Sequence, residues 1–151
     1  MSPAAPYRHF ADKQALLAAI CQEGFTLFNA ALRSAYESGR TPRAHLEEMG
    51  VAYVRFALDH PGYFRVMFGR ETGSVTVGTE PEGFLLLAEA IASLAPRAAA
   101  ARRRDLTLSA WSLVHGFAFL QLEGAFKVIG EMNDVEQQLR RLLRSFMHGQ
   151  T

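Results

Sequence analysis

Seventeen consecutive residues without a formal charge, Leu106 to Leu122, constrain this chain more than any other stretch. The run falls just short of the roughly eighteen apolar residues a membrane-spanning helix needs. Thr107, Ser109, Ser112, His115 and Gln121 also interrupt it, so it reads as a buried helix of a soluble protein. At about 100° per residue, Trp111, His115, Ala118, Phe119, Leu122 and Phe126 fall on one face. Leu113, Gly116, Phe117, Leu120 and Gly124 fall on nearly the opposite one. Two apolar faces require two partners. One is the chain's own core; the other, carrying the small Gly116 and Gly124, is expected to meet helices of a second copy in a two-fold four-helix bundle. This helix is expected to start at Asp105 and run to about Ile129, with Arg102, Arg103 and Arg104 as a solvated turn before it.

The rest of the chain is punctuated as helices, and no segment reads as a central strand. Ser2 and Pro3 open a short helix to about His9. Asp12 caps a long one ended by Gly39 after Ser38, with Leu16, Ile20, Leu27, Phe28, Ala31 and Ala35 on a face that Leu17, Phe25 and Leu32 widen enough for burial on two sides. Thr41 and Pro42 start a helix with Leu46, Met49, Tyr53, Phe56, Ala57 and His60 inward, and Glu47, Glu48, Arg55 and Asp59 on the wet side. Pro61 opens a short helix carrying Tyr63, Phe64, Val66, Met67 and Phe68. Gly69 to Glu80 has no helical period and reads as a loop, with at most a marginal hairpin at Ser74 to Val77. Pro81 starts a helix toward Leu94. Asn133 with Glu136 makes a capping-box-like start for the last one, whose Val135, Leu139, Leu142, Leu143 and Phe146 oppose Gln137, Arg140, Arg141 and Arg144.

Composition excludes several functions. A chain of 151 residues, 49% of them apolar, supports one domain-sized core. Its formal charge of +1 supplies no general attraction to nucleic acid, so any DNA contact must be local. The single thiol, Cys21, cannot form an internal disulfide, which fits a reducing cytoplasm, and Met1 to Phe10 lacks the apolar core of a secretion signal. The histidines His9, His45, His60, His115 and His148 never fall in an HExxH pattern, and one cysteine cannot found a zinc cluster. Ser112 and His115 lie one turn apart without an acid on that helix to orient the imidazole, and no GxSxG elbow or phosphate-cradling loop occurs. No catalytic residue, metal or cofactor is expected, and the chain is not read as an enzyme.

Three motifs in order point to a family. AAPYRHFADKQALLAAI, which places Tyr7, Arg8, His9 and Phe10 before a two-residue turn and a helix near Lys13, resembles the DNA-binding module of tetracycline-repressor (TetR) regulators from the recognition helix onward. HPGYFRVMFG, at 60 to 69, and WSLVHGFAFL, with Trp111, His115 and Gly116, resemble the subfamily whose C-terminal domain is named for its Trp-His-Gly motif. The resemblance implies an all-α, TetR-like helical bundle, with residues 1–14 a remnant of the helix-turn-helix and 15–151 a ligand-binding and dimerisation domain.

In the family the recognition helix enters the major groove. The resemblance therefore places Ser2, Pro3 and Ala4 near bases or backbone, Tyr7 and His9 at phosphates or bases, and Lys13 at a phosphate. Tyr7 and Phe10 serve equally to dock a short helix on the long one. An effector cavity would be lined by Phe25, Phe28, Tyr53, Phe56, Phe64, Met67, Trp111, His115 and Phe119, taking a small apolar guest oriented by a few polar groups. The same aromatics serve equally as plain core, and His115 as a core histidine bonded to a carbonyl. The dimer interface would take Leu113, Gly116, Phe117, Leu120, Gly124, Leu139, Leu142, Leu143 and Phe146. The family's first DNA-binding helices precede the matching stretch, so operator DNA is a partner only where they are present, and the chain as given is expected to bind DNA weakly or not at all. Two functions stay open: a homodimeric, cytoplasmic, ligand-responsive repressor, or a non-DNA-binding relative that sequesters full-length partners or ligand.

Overall fold

A computed structural model describes residues 10–69, 82–129 and 134–148. Within them the chain forms six α-helices and no strand: α1 (Lys13–Ser38), α2 (Pro42–Asp59), α3 (Pro61–Phe68), α4 (Glu82–Leu94), α5 (Ala100–Leu122) and α6 (Val135–Met147), with a 3-10 helix at Ala125–Ile129. The all-α expectation holds. The expected short helix to His9, the hairpin at Ser74 to Val77 and the Pro81 and Asn133 starts fall outside the described residues.

Most boundaries follow from side-chain chemistry. Asp12 Oδ1 accepts from the Ala15 amide at 2.8 Å and Thr41 Oγ1 from that of Ala44 at 3.2 Å, each satisfying an N–H that a helix start leaves orphaned. Pro42 and Pro61 occupy first turns, where a missing N–H costs nothing. The cap of α6 is Asp134: its Oδ1 accepts from the Gln137 amide at 2.9 Å.

Helix α5 departs most from expectation. It starts at Ala100, so Arg102, Arg103 and Arg104 lie in its first turns rather than in a solvated loop. Alanine and arginine are strong helix formers, and the turn before them is held by Arg103, whose guanidinium donates to the carbonyls of Ala98 at 2.9 Å and Pro96 at 3.3 Å. The helix also ends early, at Leu122. Gly124 adopts φ +68°, a left-handed conformation that turns the chain, so that Phe126 folds back onto Phe117 with ring centroids 5.0 Å apart.

Helices α1 and α2 form an antiparallel pair. Tyr36 stacks on His45 beside the turn, at 4.3 Å, and deeper in the pair Phe28 meets Tyr53 and Phe56 edge-on at 5.0 and 5.2 Å. Helix α4 lies along α1 in the same direction, with Glu82 paired to Arg33 and Glu89 accepting from the Tyr36 hydroxyl. Helix α6 runs antiparallel to α2, burying Leu139, Leu143 and Met147, which recur every fourth residue. Glu47 and Glu48 therefore do not face open water: Arg140 bridges them at 3.0 and 2.8 Å and also holds Glu136 at 2.9 Å. Helix α2 is the centre of the molecule, with Leu46, Met49, Val51, Tyr53, Val54, Phe56 and Ala57 buried, each large side chain contributing roughly 1.5–3 kcal/mol on removal from water. Helix α1 is the one described helix with the length and hydropathy to cross a membrane; its Cys21, Gly24, Phe28 and Leu32 are buried within the bundle.

Candidate functional site

Helices α1, α2, α3 and α5 converge on one aromatic cluster. Phe28, Tyr53, Phe56 and Phe64 are buried in it and Phe25 flanks it, its ring 6.4 Å from that of Phe28. The polar element of this cluster is a relay of three side chains. The Trp111 Nε1–H donates to the Tyr53 hydroxyl at 3.3 Å, and that hydroxyl lies 2.8 Å from Nδ1 of His115. An indole N–H can only donate, so the Tyr53 oxygen accepts from it; the buried hydroxyl proton also needs an acceptor, and among the described residues Nδ1 of His115 is the one within reach, which assigns the proton to that bond. His115 is then neutral, with its remaining proton on Nε2. Burial favours the same state, holding the imidazole below its ordinary pKa of 6.5. Burial also holds the Tyr53 hydroxyl well above its usual range, partly offset by the bond from Trp111. The pairing directs Nδ1 of His115 to Tyr53, while Ser112, one turn away, is exposed.

One residue expected in the cavity lies on the surface: Phe119 is 51% exposed. Met67 is buried against Gly24 of α1. One residue was missed. Phe68, the last residue of α3, makes ring contacts with Phe25, Phe28, Tyr53, Phe64 and His115. The signal lay in the sequence: Phe64 and Phe68 are four apart and must share a helix face.

The two faces of α5 exist, but their membership differs from expectation. The inner face is Leu106, Thr107, Ala110, Val114, Phe117 and Ala118. The outer face carries Leu108 and Leu120, 45% and 44% exposed, with Phe119, Ser109 and Ser112. A Cβ at Gly116 would meet nothing within 4 Å among the described residues, which leave this side of α5 uncovered. Of the residues assigned to pairing, Gly116, Leu120 and Leu142 lie on open surface, and Leu113 and Phe146 are partly buried. Phe117, Leu139 and Leu143 belong to the chain's own core, and Gly124 forms the turn that ends α5. Trp111 sits between the faces, 39% exposed, its indole edge-on to Phe84 at 5.9 Å.

Of the residues assigned to DNA, Ser2, Pro3, Ala4, Tyr7 and His9 lie outside the described residues. Lys13 is exposed in the first turn of α1.

A helical bundle with an aromatic heart and an uncovered α5 face defines a class, and comparison with known proteins narrows it. Residues 46–146 match the family described as tetracyclin repressor-like, C-terminal domain, so the chain belongs to that family. Among solved structures it is similar to a protein with unknown function from Rhodococcus sp. RHA1, at 28% identity and a TM-score of 0.75, over 99% of this chain and 78% of that one. It also resembles the crystal structure described as "putative regulatory protein SCO4313", at 22% identity and a TM-score of 0.71, over 97% of this chain and 79% of that one. No curated protein matches the chain.

Proposed function

We propose that this chain is the effector-sensing and dimerising body of a TetR-family, Trp-His-Gly-type transcription regulator. The observation that carries the reading is the double duty of α5. The edge of α5 that carries Trp111 also supplies His115 to the aromatic cluster, and the outer side of the helix is an apolar strip, Leu108, Phe119 and Leu120 around Gly116, that the described residues leave uncovered. A second copy crossing at Gly116 would bury that strip together with Leu142 of α6, and Gly116 would let the two helix backbones approach closely. A small, mostly apolar effector held beside Tyr53 and His115 would then act on the helix that sets the spacing of the two subunits, favouring one dimer arrangement over another. Operator contact belongs to Ser2, Pro3, Ala4, Tyr7, His9 and Lys13, acting with further helices of a complete helix-turn-helix.

Sedimentation equilibrium tests the pairing. The wild-type chain is expected to be a dimer at micromolar concentration, and Phe119→Asp a monomer with unchanged helix content by circular dichroism. A wild-type monomer, or a Phe119→Asp dimer as tight as the parent, would refute the assignment of this face.

A further inference from the structure

Phe68 sits where the aromatic cluster converges. Its ring centroid lies 5.0 Å from those of Phe64 and His115, 5.8 Å from Phe25, 6.2 Å from Phe28 and 6.3 Å from Tyr53. The rings around it are firmly held: Phe28, Tyr53 and Phe64 are almost fully buried within helices. Phe68 differs. It is only partly buried and ends an eight-residue helix, and the next residue, Gly69, already has extended backbone. The final turn of so short a helix opens at little cost in free energy.

We propose that Phe68 is a built-in plug: it fills the seat of an effector, which binds by replacing the ring. This deepens the effector-sensing reading and rests on it. The vacated seat is walled by the rings of Phe25, Phe28, Tyr53 and Phe64, which select a flat aromatic group about the size of a benzyl ring. Beside these rings stands the neutral imidazole of His115, whose Nδ1 is engaged by the Tyr53 hydroxyl and whose remaining proton is on Nε2. The ligand therefore carries a hydrogen-bond acceptor, such as a carbonyl oxygen, beside its ring. The five rings that meet Phe68 carry neither a carboxylate nor an ammonium, so the seat they form suits an uncharged guest.

Titration calorimetry with two probes of nearly equal shape tests this. Acetophenone has a carbonyl oxygen where α-methylstyrene has a methylene carbon. Phe68→Ala is expected to bind acetophenone at least about tenfold more tightly than wild type, because binding no longer has to displace a ring. Acetophenone is expected to exceed α-methylstyrene by about five- to tenfold, a preference that His115→Leu abolishes. Phe68→Leu, with a smaller gain, serves if the alanine variant does not fold. If wild type binds acetophenone and neither Phe68 variant improves on it, the plug is refuted while effector sensing stands. If the two probes bind alike, the ligand class is refuted; if neither probe binds to wild type or variants, the plug and its ligand class both fall, and the α5 pairing face is judged by sedimentation alone.

Discussion

Leu143 of α6 occupies the notch left by the missing side chain of Gly50 on α2. A Cβ at Gly50 would come within 2.6 Å of Leu143 Cδ1 and 3.1 Å of Cδ2. Two effects oppose each other in Gly50→Ala: the helix gains about 1 kcal/mol of propensity, while overpacking costs about 1–3 kcal/mol. Net destabilisation of roughly 1 kcal/mol is expected, because Leu143 is 3% exposed and has little room to withdraw. Leu143→Ala alone should cost about 2–5 kcal/mol. In the double variant the alanine methyl partly fills the hole, so urea denaturation should find a loss smaller than the sum of the two. Strict additivity would contradict this contact.

The charged layer beside that notch makes the stability depend on acid. The Arg144 bond, aided by Arg140, holds Glu47 below its ordinary range, and Arg140, aided by Arg55, does the same for Glu136. A carboxylate whose folded pKa is depressed contributes stability above its unfolded value, about 4.3, and loses it as pH falls through the folded value. Arg140→Met at neutral pH leaves three carboxylates without their shared cation. Because the Arg140 and Glu47 side chains keep 24% and 14% of their exposure, the cost is discounted from the buried-pair range to about 1–3 kcal/mol. Denaturation at pH 7 and pH 3 should show the gap between wild type and variant closing at the lower pH; a constant gap would mean that the network carries none of it.

Where a boundary is written in one local side chain, the sequence discloses it: Asp12, Thr41 with Pro42, Pro61 and Gly39 each act within a few residues, and each expectation held. The start of α5 has no such mark, since Ala99 offers no capping side chain and the arginine that secures the turn does so through backbone carbonyls. Long-range pairings were hidden for a different reason. Arg140 meets Glu48 across 92 positions, and on each helix alone both residues read as solvated. The wheel of α5 showed two apolar stripes but not which one the core claims. Phe117 is inside on the face with Ala110 and Val114, and Phe126 packs against it through the Gly124 turn, a backbone conformation that spacing does not encode.

The relay from Trp111 to His115 supports a second pH effect of opposite origin. Burial depresses the His115 pKa, so the unfolded chain binds its proton more readily than the folded one. Stability should decline as pH falls from about 6.5 toward the folded value and then level off, and His115→Phe should remove this decline. Tyr53→Phe leaves the Trp111 N–H and His115 Nδ1 without their shared partner, at a cost of about 1–3 kcal/mol. Trp111 is the chain's single tryptophan, so its fluorescence reports the relay directly. An emission maximum identical in Tyr53→Phe and wild type would argue against the hydrogen bond.

Gly124 offers a separate test of the α5 boundary, because space and conformation give different answers there. A Cβ at this position would lie 3.7 Å from Lys127 Cε, an ordinary contact, yet φ is +68°. Gly124→Ala should therefore cost about 1–2 kcal/mol through backbone strain alone, whereas Gly124→Asn, whose side chain tolerates the left-handed region, should cost less. If the helix instead continued past Leu122, alanine would raise stability by about 1 kcal/mol through its better helix propensity. The sign of the change in urea midpoint decides between the two. A loss in Gly124→Ala that asparagine partly restores identifies the turn, and with it the fold-back that sets Phe126 against Phe117.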